Sequence, residues 1–313
     1  MDETDLIMIQ QLLMNSRLPY RELADKLSLS VNAVHKRIQG LSGSGVIQTF
    51  TARISIAALR AISITVFGRS EATSMDEIDK KLEKNEFTYW FSAAGGNYVY
   101  VGAHLRSLSD LEPFVAYLKK EAQIKDPTVG ISSGELSEAS KTGKEPPLDV
   151  PLSTLDYRII YALHKNSRRP VSDVAEELGV SAKTVRRRLS RMIEEGLIEL
   201  SLEWYPDALN DIMTIFHLRL KDTSDKGKVL PVLLNEYSPN FMFLMPFSNL
   251  PNLILYVIWT NTMKELREIQ ESIDGEGFIE STVPNILYSG SIYDTWRDDI
   301  VLKKGALPNR GAD

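Results

Sequence analysis

The chain has 313 residues and no cysteine, and its 36 lysines and arginines stand against 42 aspartates and glutamates, for a formal net charge of −6. The length favours two or more domains, and a hydrophobic content of 43% excludes a globally disordered chain. The lack of cysteine excludes disulfide bonds, a thiolate zinc site and an iron–sulfur cluster, and it suits a reducing compartment.

Neither a signal peptide nor a membrane span is expected. The chain opens with Asp2, Glu3 and Asp5 and lacks the basic region with which a signal peptide begins. The longest apolar runs, such as residues 253–259, are too short to cross a bilayer. We therefore expect a cytoplasmic protein without a membrane partner.

The chain contains the same unit twice. Residues 5–47 align without a gap onto residues 156–198, at a shift of 151 positions, and 14 of the 43 aligned pairs are identical. A shared run, Asn-Ser-Arg-x-Pro, starts at Asn15 in the first copy and at Asn166 in the second. A spacing of half the chain indicates a duplicated two-domain protein and not a solenoid.

Each copy is predicted to form three short helices followed by a strand. Ser30 and Ser181 precede the third helix, where a hydroxyl accepts a hydrogen bond from an otherwise unpaired backbone N–H. That helix ends at Gly45 or Gly196, the residue type that favours a left-handed helix end. The order matches a helix-turn-helix with a short wing.

The outward face of the third helix distinguishes a DNA-binding unit from a three-helix bundle that only packs. Neither copy carries a carboxylate on that face, although a solvated helix face normally mixes both signs of charge. The two repeats have net charges of +2 and +3, and the rest of the chain carries −11. The predicted DNA-binding residues are Ser30, Asn32, His35, Lys36, Arg37, Gln39, Ser181, Lys183, Arg186, Arg187, Arg188 and Arg191. Arg37 and Arg188 occupy the same position in the two copies, and a structural ion pair is an equal alternative for them.

The segment after each repeat alternates between strand and helix patterns. The first is predicted as strands at 61–67, 88–93, 98–104 and 127–136 with helices at 74–83 and 109–121. The second is predicted as strands at 212–221, 241–245, 253–259 and 279–288 with helices at 225–237 and 262–272. This βαββαβ order is ferredoxin-like. One face of such a sheet is uncovered, so we expect the two sheets to pack together as an internal pseudo-dimer. An RNA-stacking role for their aromatic residues is disfavoured because the strands lack interleaved lysine and arginine.

The predicted fold class is therefore α+β, with two helix-turn-helix domains alternating with two ferredoxin-like domains. A segment with three prolines in six residues separates the two halves. The predicted ranges are 1–53 for the first helix-turn-helix domain, 54–140 for the first ferredoxin-like domain, 141–151 for the linker, 152–203 for the second helix-turn-helix domain, 204–302 for the second ferredoxin-like domain and 303–313 for a flexible tail.

The chain resembles the Lrp/AsnC (feast/famine) family of transcription regulators. The resemblance rests on Asn15, Ser16, Arg17 and Pro19, on Glu22-Leu23-Ala24, on Ser30, Val34, Arg37, Ile38 and Leu41, and on Gly45-Val46-Ile47, and it recurs in the second half. It implies winged helix-turn-helix domains, sheet domains of the RAM type, double-stranded DNA as partner and dimers that often assemble further. The chain is similar to a covalently linked version of such a dimer, a form expected in archaea.

The resemblance also implies an effector pocket at the interface of the sheet domains, which commonly uses a Gly-x-x-Asp stretch. The matching residues here are Gly95, Gly96, Asn97 and Tyr98, and the second copy has residues 248–252 in their place. Neither stretch supplies the Asp, so a plain hairpin turn is an equally good interpretation of Gly95 and Gly96.

A decarboxylase of sirohaem shares this domain order and is the alternative to a regulator. The sequence has no phosphate-binding loop, no nucleophile elbow and no metal-spaced carboxylate cluster. We therefore expect no enzymatic activity and no cofactor.

Overall fold

The computed structural model describes residues 1–132, 152–204, 211–238 and 240–306. These residues form two compact units. The helical unit comprises the described residues of 11–61, 136–204 and 294–313, and the sheet unit those of 1–10, 62–135 and 205–293. In the described part of the chain, no helix is both long enough and apolar enough to cross a membrane.

The described residues contain eleven α-helices and ten β-strands. The helices are α1 (Glu3–Met14), α2 (Tyr20–Leu27), α3 (Val31–Gly43), α4 (Met75–Leu82), α5 (Leu111–Glu121), α6 (Thr154–Leu163), α7 (Val171–Leu178), α8 (Ala182–Glu194), α9 (Lys226–Glu236), α10 (Met263–Asp274) and α11 (Trp296–Gly305). The strands are β1 (Ile47–Ile54), β2 (Ile62–Arg69), β3 (Thr88–Ala94), β4 (Tyr98–Leu105), β5 (Thr128–Ile131), β6 (Ile198–Trp204), β7 (Ile212–Leu220), β8 (Phe241–Pro246), β9 (Leu253–Thr260) and β10 (Ile279–Ile292).

The helical unit contains both helix-turn-helix elements, and its two strands pair with each other. Strand β1 runs antiparallel to β6, with Ile54 opposite Ile198 and Ile47 opposite Trp204. The sequence predicted a short wing in each copy, whereas the structure shows one ribbon made from both copies. Pairing across the copies satisfies backbone N–H and C=O groups that a lone edge strand would expose.

Helix α11 completes the core of the helical unit. Val301 is fully buried in the same apolar cluster as Ile159 and Leu163 of α6, Val185 of α8 and Ala52 of β1. Thr295 begins α11 with a capping box, since its backbone N–H donates to Asp298 Oδ2 at 2.7 Å. The sequence placed these residues at the end of the second sheet domain and in the tail.

The sheet unit is built around one continuous eight-stranded sheet. Its strand order is β5-β2-β4-β3-β10-β7-β9-β8, so each half has the ferredoxin-like order and the halves join where β3 pairs with β10. The outer strands also approach each other, because Ser132 bridges to Phe247 and the Ser248 N–H donates to the Ile131 carbonyl at 2.8 Å. The two halves therefore pair through strand edges in addition to packing through sheet faces. The sequence analysis predicted the face packing but not the edge pairing.

Close packing between the halves requires a glycine in β5. A Cβ placed on Gly130 would lie 2.4 Å from the ring of Phe247, which comes from the other half. Phe247 is buried and stacks on Phe67 of β2, with ring centroids 6.1 Å apart. The absence of a side chain at Gly130 therefore lets the second half seat an aromatic ring against the first.

The predicted fold class is confirmed, and the strands and helices predicted for the two ferredoxin-like domains are present within a few residues of their expected bounds. The exception is the strand predicted at 127–136, which is observed at Thr128–Ile131, because residues 133–136 lie outside the described residues. The predicted linker at 141–151 lies outside the described residues. Of the predicted tail, residues 303–305 belong to α11 and residues 307–313 lie outside the described part.

Candidate nucleic-acid interface and effector cavity

Two helix-turn-helix elements, α2–α3 and α7–α8, present the candidate DNA-binding surface. The turn inside each element passes through a left-handed residue, Ser28 with φ 54° and Gly179 with φ 66°. The helix that follows is capped as the sequence predicted. The Ser30 hydroxyl accepts a hydrogen bond from the Ala33 N–H at 3.1 Å, and the Ser181 hydroxyl accepts one from Thr184 at 3.1 Å. Both candidate phosphate contacts therefore also hold their helix ends.

The outward residues of α3 and α8 are exposed, as helical spacing requires. The exposed set is Asn32, His35, Lys36, Gln39, Lys183, Arg186, Arg187 and Ser190. In the described part of the chain, none of the four cations in this set makes an ion pair. Lysine and arginine side chains without a carboxylate partner leave their charge available to phosphate groups.

Arg188 and Arg191 are held differently from their neighbours on α8. Arg188 Nη1 lies 3.1 Å from Asp156 Oδ1, and Arg191 Nη2 lies 3.0 Å from Asp156 Oδ2. Burial raises the pKa of Asp156, but hydrogen bonds from Ser153 and Arg188 and the charge of Arg191 outweigh it and lower the pKa. Both arginines therefore tie α8 to the first turn of α6. Arg37, the counterpart of Arg188, is half-buried.

The shared Asn-Ser-Arg run forms a reciprocal contact between the two copies. Ser16 Oγ and Ser167 Oγ are 2.6 Å apart and both residues are fully buried. Arg17 donates to the Ser167 and Arg169 carbonyls, and Arg168 donates to the Ser16 and Leu18 carbonyls. Such an exchange, in which each copy gives the other the same contact, is the pattern of a two-fold interface. The identity of this run in both copies was the available signal, but the sequence analysis used it only to recognise the repeat and the family resemblance.

A partly buried cluster in the helical unit has metal-ligand residue types but does not fit a metal ion. His164, Asp294 and Asp298 bring potential ligand atoms within 4.8 Å of one another. Arg53 already donates to Asp298 Oδ1 at 2.7 Å and to Asp294 Oδ1 at 3.2 Å, and Lys165 lies 2.7 Å from Asp294 Oδ2. Because these cations neutralise the carboxylates, the cluster is an ion-pair network that joins α11 to β1.

Of the four predicted effector residues, Tyr98 alone is among the described residues that line a cavity. Gly95, Gly96 and Asn97 form a tight turn, in which Gly96 and Asn97 have φ values of 69° and 57°. The turn is held by local hydrogen bonds, since the Asn97 carbonyl accepts from Ser70 N–H at 2.8 Å and the Gly96 carbonyl accepts from Arg69 Nε at 3.0 Å. Tyr98, the fourth residue, lines a cavity of about 500 Å³ in the sheet unit.

That cavity contains two residues that the sequence analysis did not select, His217 and Arg219 of β7. They are two positions apart, so they lie on the same face of the strand. The Tyr100 hydroxyl and His217 Nε2 are 2.7 Å apart, and burial lowers the pKa of His217 from 6.5 to about 4. The signal in the sequence was a histidine and an arginine two positions apart in a strand that otherwise has no ionisable residue.

Family models match both helix-turn-helix regions. An AsnC-type helix-turn-helix domain matches residues 1–42, and a winged helix-turn-helix DNA-binding domain matches residues 152–199. The two matches correspond to the two copies of the repeat.

Curated relatives are transcriptional regulators, and three of them each match about a third of this chain. An HTH-type transcriptional regulator of Pyrococcus furiosus is 30% identical over 116 residues, which cover 36% of this chain and 78% of the relative. The HTH-type transcriptional regulator LrpA of Pyrococcus horikoshii is 31% identical over 99 residues, covering 31% of this chain and 70% of LrpA. The HTH-type transcriptional regulator LysM of Sulfurisphaera tokodaii is 35% identical over 98 residues, covering 31% of this chain and 69% of LysM.

Among solved structures, the siroheme decarboxylase NirDL covers 96% of this chain and 96% of its own length, with a TM-score of 0.60 and 12% identity. At that identity the likeness concerns the fold, and it extends over both halves.

Proposed function

The chain belongs to the Lrp/AsnC family of helix-turn-helix transcriptional regulators, and from that premise we propose that it binds double-stranded DNA through two different reading helices, α3 and α8. The observation that carries the proposal is the pair of exposed, carboxylate-free helix faces in one helical unit. The two helices would enter successive major grooves, about 34–36 Å apart, on one side of the duplex.

The two helices divide the contacts unequally. On α8, Arg186, Arg187 and Lys183 are exposed and would contact guanine edges or phosphates. On α3, Asn32 would pair with adenine, while Lys36 would contact the backbone. His35 and Gln39 extend the α3 face, and Ser30 and Ser181 place hydroxyls at helix N-termini, where phosphate binds well.

We propose that Arg188 and Arg191 position α8 and do not contact DNA directly, because both hold the buried Asp156. Arg37 occupies the same position on α3 as Arg188 on α8, and we assign it the same role. Because the two reading faces differ while their Asn-Ser-Arg contact is reciprocal, the preferred DNA site should consist of two unlike half-sites in a two-fold arrangement.

A salt titration of DNA binding tests the proposal. The double variant Arg186→Ala/Arg187→Ala should lose affinity more strongly than His35→Ala/Lys36→Ala, and each lost phosphate contact should lower the salt slope by about one. Arg267→Ala/Lys264→Ala, on the exposed face of α10, is the control and should bind as the native chain does. Unchanged DNA affinity in Arg186→Ala/Arg187→Ala would show that α8 does not contact DNA. A selection of DNA sites that returns a perfect palindrome for a single chain would contradict the proposal of two unlike half-sites.

We propose that the two halves act as an internal pseudo-dimer and that the cavity beside Tyr98 receives a small-molecule effector. The continuous sheet across β3 and β10 supports the pairing within one chain. Light scattering on the purified chain measures its mass and shows whether these pseudo-dimers assemble further. A DNA target would place the site of action in the cytoplasm of an archaeal or bacterial cell.

The full-length likeness to a siroheme decarboxylase supports a second candidate, a tetrapyrrole-processing enzyme. The described cavity lining includes His217 and Tyr98 but a single arginine and no lysine, whereas a tetrapyrrole with many carboxylates needs several cations. Titration with an iron tetrapyrrole separates the two: a shifted Soret band with release of carbon dioxide would favour the enzyme.

A further inference from the structure

The cavity of about 500 Å³ lies in the sheet unit where residues of both halves meet. The first half contributes Phe67, Tyr98 and Thr128, and the second half contributes β7, β10 and the loop at 249–253. The loop is fixed in place because the Asn249 side chain accepts from the Ile131 N–H at 2.7 Å and donates to the Val129 carbonyl at 2.8 Å. The volume is in the range of small-molecule sites, about 300–1,000 Å³.

One wall of the cavity is aromatic and uncharged. The His217 ring forms T-shaped contacts with the rings of Phe67 and Tyr98, with centroid distances of 5.4 Å and 5.5 Å. Burial lowers the pKa of His217 to about 4, so the imidazole is neutral near pH 7. Aromatic rings in these orientations favour a flat, apolar body in contact with them.

Among the described lining residues, one carries a charge. Arg219 is exposed to the cavity and makes no ion pair in the described part of the chain. Among the residues that the structure describes, the lining contains neither Asp nor Glu. The nearby Asp222 does not line the cavity, and it accepts a hydrogen bond from the Asn252 amide. A guanidinium without a partner matches a carboxylate, to which it can donate two parallel hydrogen bonds.

We infer that this cavity binds a small organic acid that places its carboxylate on Arg219 and a flat, uncharged body against Phe67, Tyr98 and His217, and that it discriminates against α-amino acids. The inference rests on the proposed role of the cavity as an effector site. An α-ammonium group entering the cavity would meet an arginine and neutral side chains, so it would lose hydration without gaining a carboxylate partner.

Two probes that differ only in the ammonium group test the inference on the full chain without DNA. Calorimetric titration should show 3-phenylpropanoate binding at least about tenfold more tightly than L-phenylalanine. Arg219→Met keeps the aliphatic stem and should weaken 3-phenylpropanoate binding at least about tenfold, whereas Arg219→Lys should recover part of it. Arg267→Met, an exposed arginine of α10 that does not line the cavity, is the control and should bind as the native chain does.

Equal affinity for the two probes, tighter binding of L-phenylalanine, no binding of either at millimolar concentration, or native affinity in Arg219→Met would each overturn the inference. DNA binding by the same variants, measured without probe, separates this site from the proposed function. Arg219→Met should bind DNA as the native chain does, and a native chain that binds the acid but no DNA would refute the regulator and leave the cavity assignment intact.

Discussion

Replacing Asp298 with asparagine should destabilise the helical unit by about 2–3 kcal/mol at neutral pH. Asp298 is fully buried and accepts hydrogen bonds from Arg53 Nε and the Thr295 N–H, each at 2.7 Å. Burial alone would raise its pKa, but the charges of Arg53 and Arg297 and the Thr295 hydrogen bond outweigh burial and lower the pKa from 3.8 to about 2. That difference corresponds to about 2.5 kcal/mol of stability.

The size of the expected loss also follows from what remains around Arg53. Removing one partner of a buried ion pair costs about 3–5 kcal/mol when the other charge is left alone. Arg53 keeps Glu203, whose Oε1 lies 2.5 Å from Nη2, and Asp294 at 3.2 Å. The loss should therefore lie at the lower end of that range or just below it.

The carboxylate also sets a pH dependence with a definite sign. Because the folded-state pKa of Asp298 lies below its ordinary value, its stabilisation is present above about pH 4 and is lost as the pH falls towards 2. The difference between the native chain and Asp298→Asn should therefore shrink to about half its neutral value near pH 3.

Urea unfolding at pH 7, 4 and 3, followed by amide hydrogen exchange in peptides covering β1 and α11, measures this difference locally. Asp299→Asn is the matched control, since Asp299 is the next residue of α11, is exposed and lies 3.6 Å from Lys303. It should change the free energy of unfolding by less than about 0.5 kcal/mol. Equal effects of the two substitutions, or a difference that grows as the pH falls, would refute the reasoning.

Three further predictions concern other contacts. Gly102→Ala should lower the free energy of unfolding, measured in urea, by about 1–3 kcal/mol, because a Cβ there would lie 1.8 Å from the Trp90 ring nitrogen. The free energy of unfolding of the native chain should fall by up to about 3 kcal/mol as the pH falls from 6.5 through 4, because His217 takes up a proton more readily in the unfolded state than in the folded one. In thermal melts, His217→Phe should not show this decrease. Arg168→Ala removes two hydrogen bonds to the opposite repeat and should lower DNA affinity about tenfold or more in anisotropy titrations, leaving hydrogen exchange in β2–β5 unchanged.

The order of helices and strands could be predicted from local patterns in the sequence. Ser30 and Ser181 cap their helices as expected because a cap depends on a hydrogen bond only three residues away. The pairing of β1 with β6 could not be predicted in the same way. A strand pattern fixes which side chains alternate, but it does not say whether the partner strand is a neighbour or lies in the other half of the chain.

The candidate site was likewise predictable only where spacing within one helix determines the position of a side chain. Helical spacing correctly predicts that Arg186 and Arg187 are exposed. The contact of Arg188 and Arg191 with Asp156 depends on how α8 packs against α6, and spacing within one helix does not determine that. The cavity could not be predicted from local patterns, because Tyr98 and Arg219 are 121 positions apart in the sequence and come together only in the folded sheet unit.

The reciprocal contact of Ser16 with Ser167 lies within one covalent chain, and this has a consequence for how the protein works at low copy number. A regulator whose reading helices sit on separate subunits loses its paired form on dilution, and its DNA occupancy then falls with the square of concentration. Here the partner repeat is always present at a fixed effective concentration. DNA occupancy should therefore follow a simple one-site isotherm down to protein concentrations at which a dimer of separate subunits would dissociate.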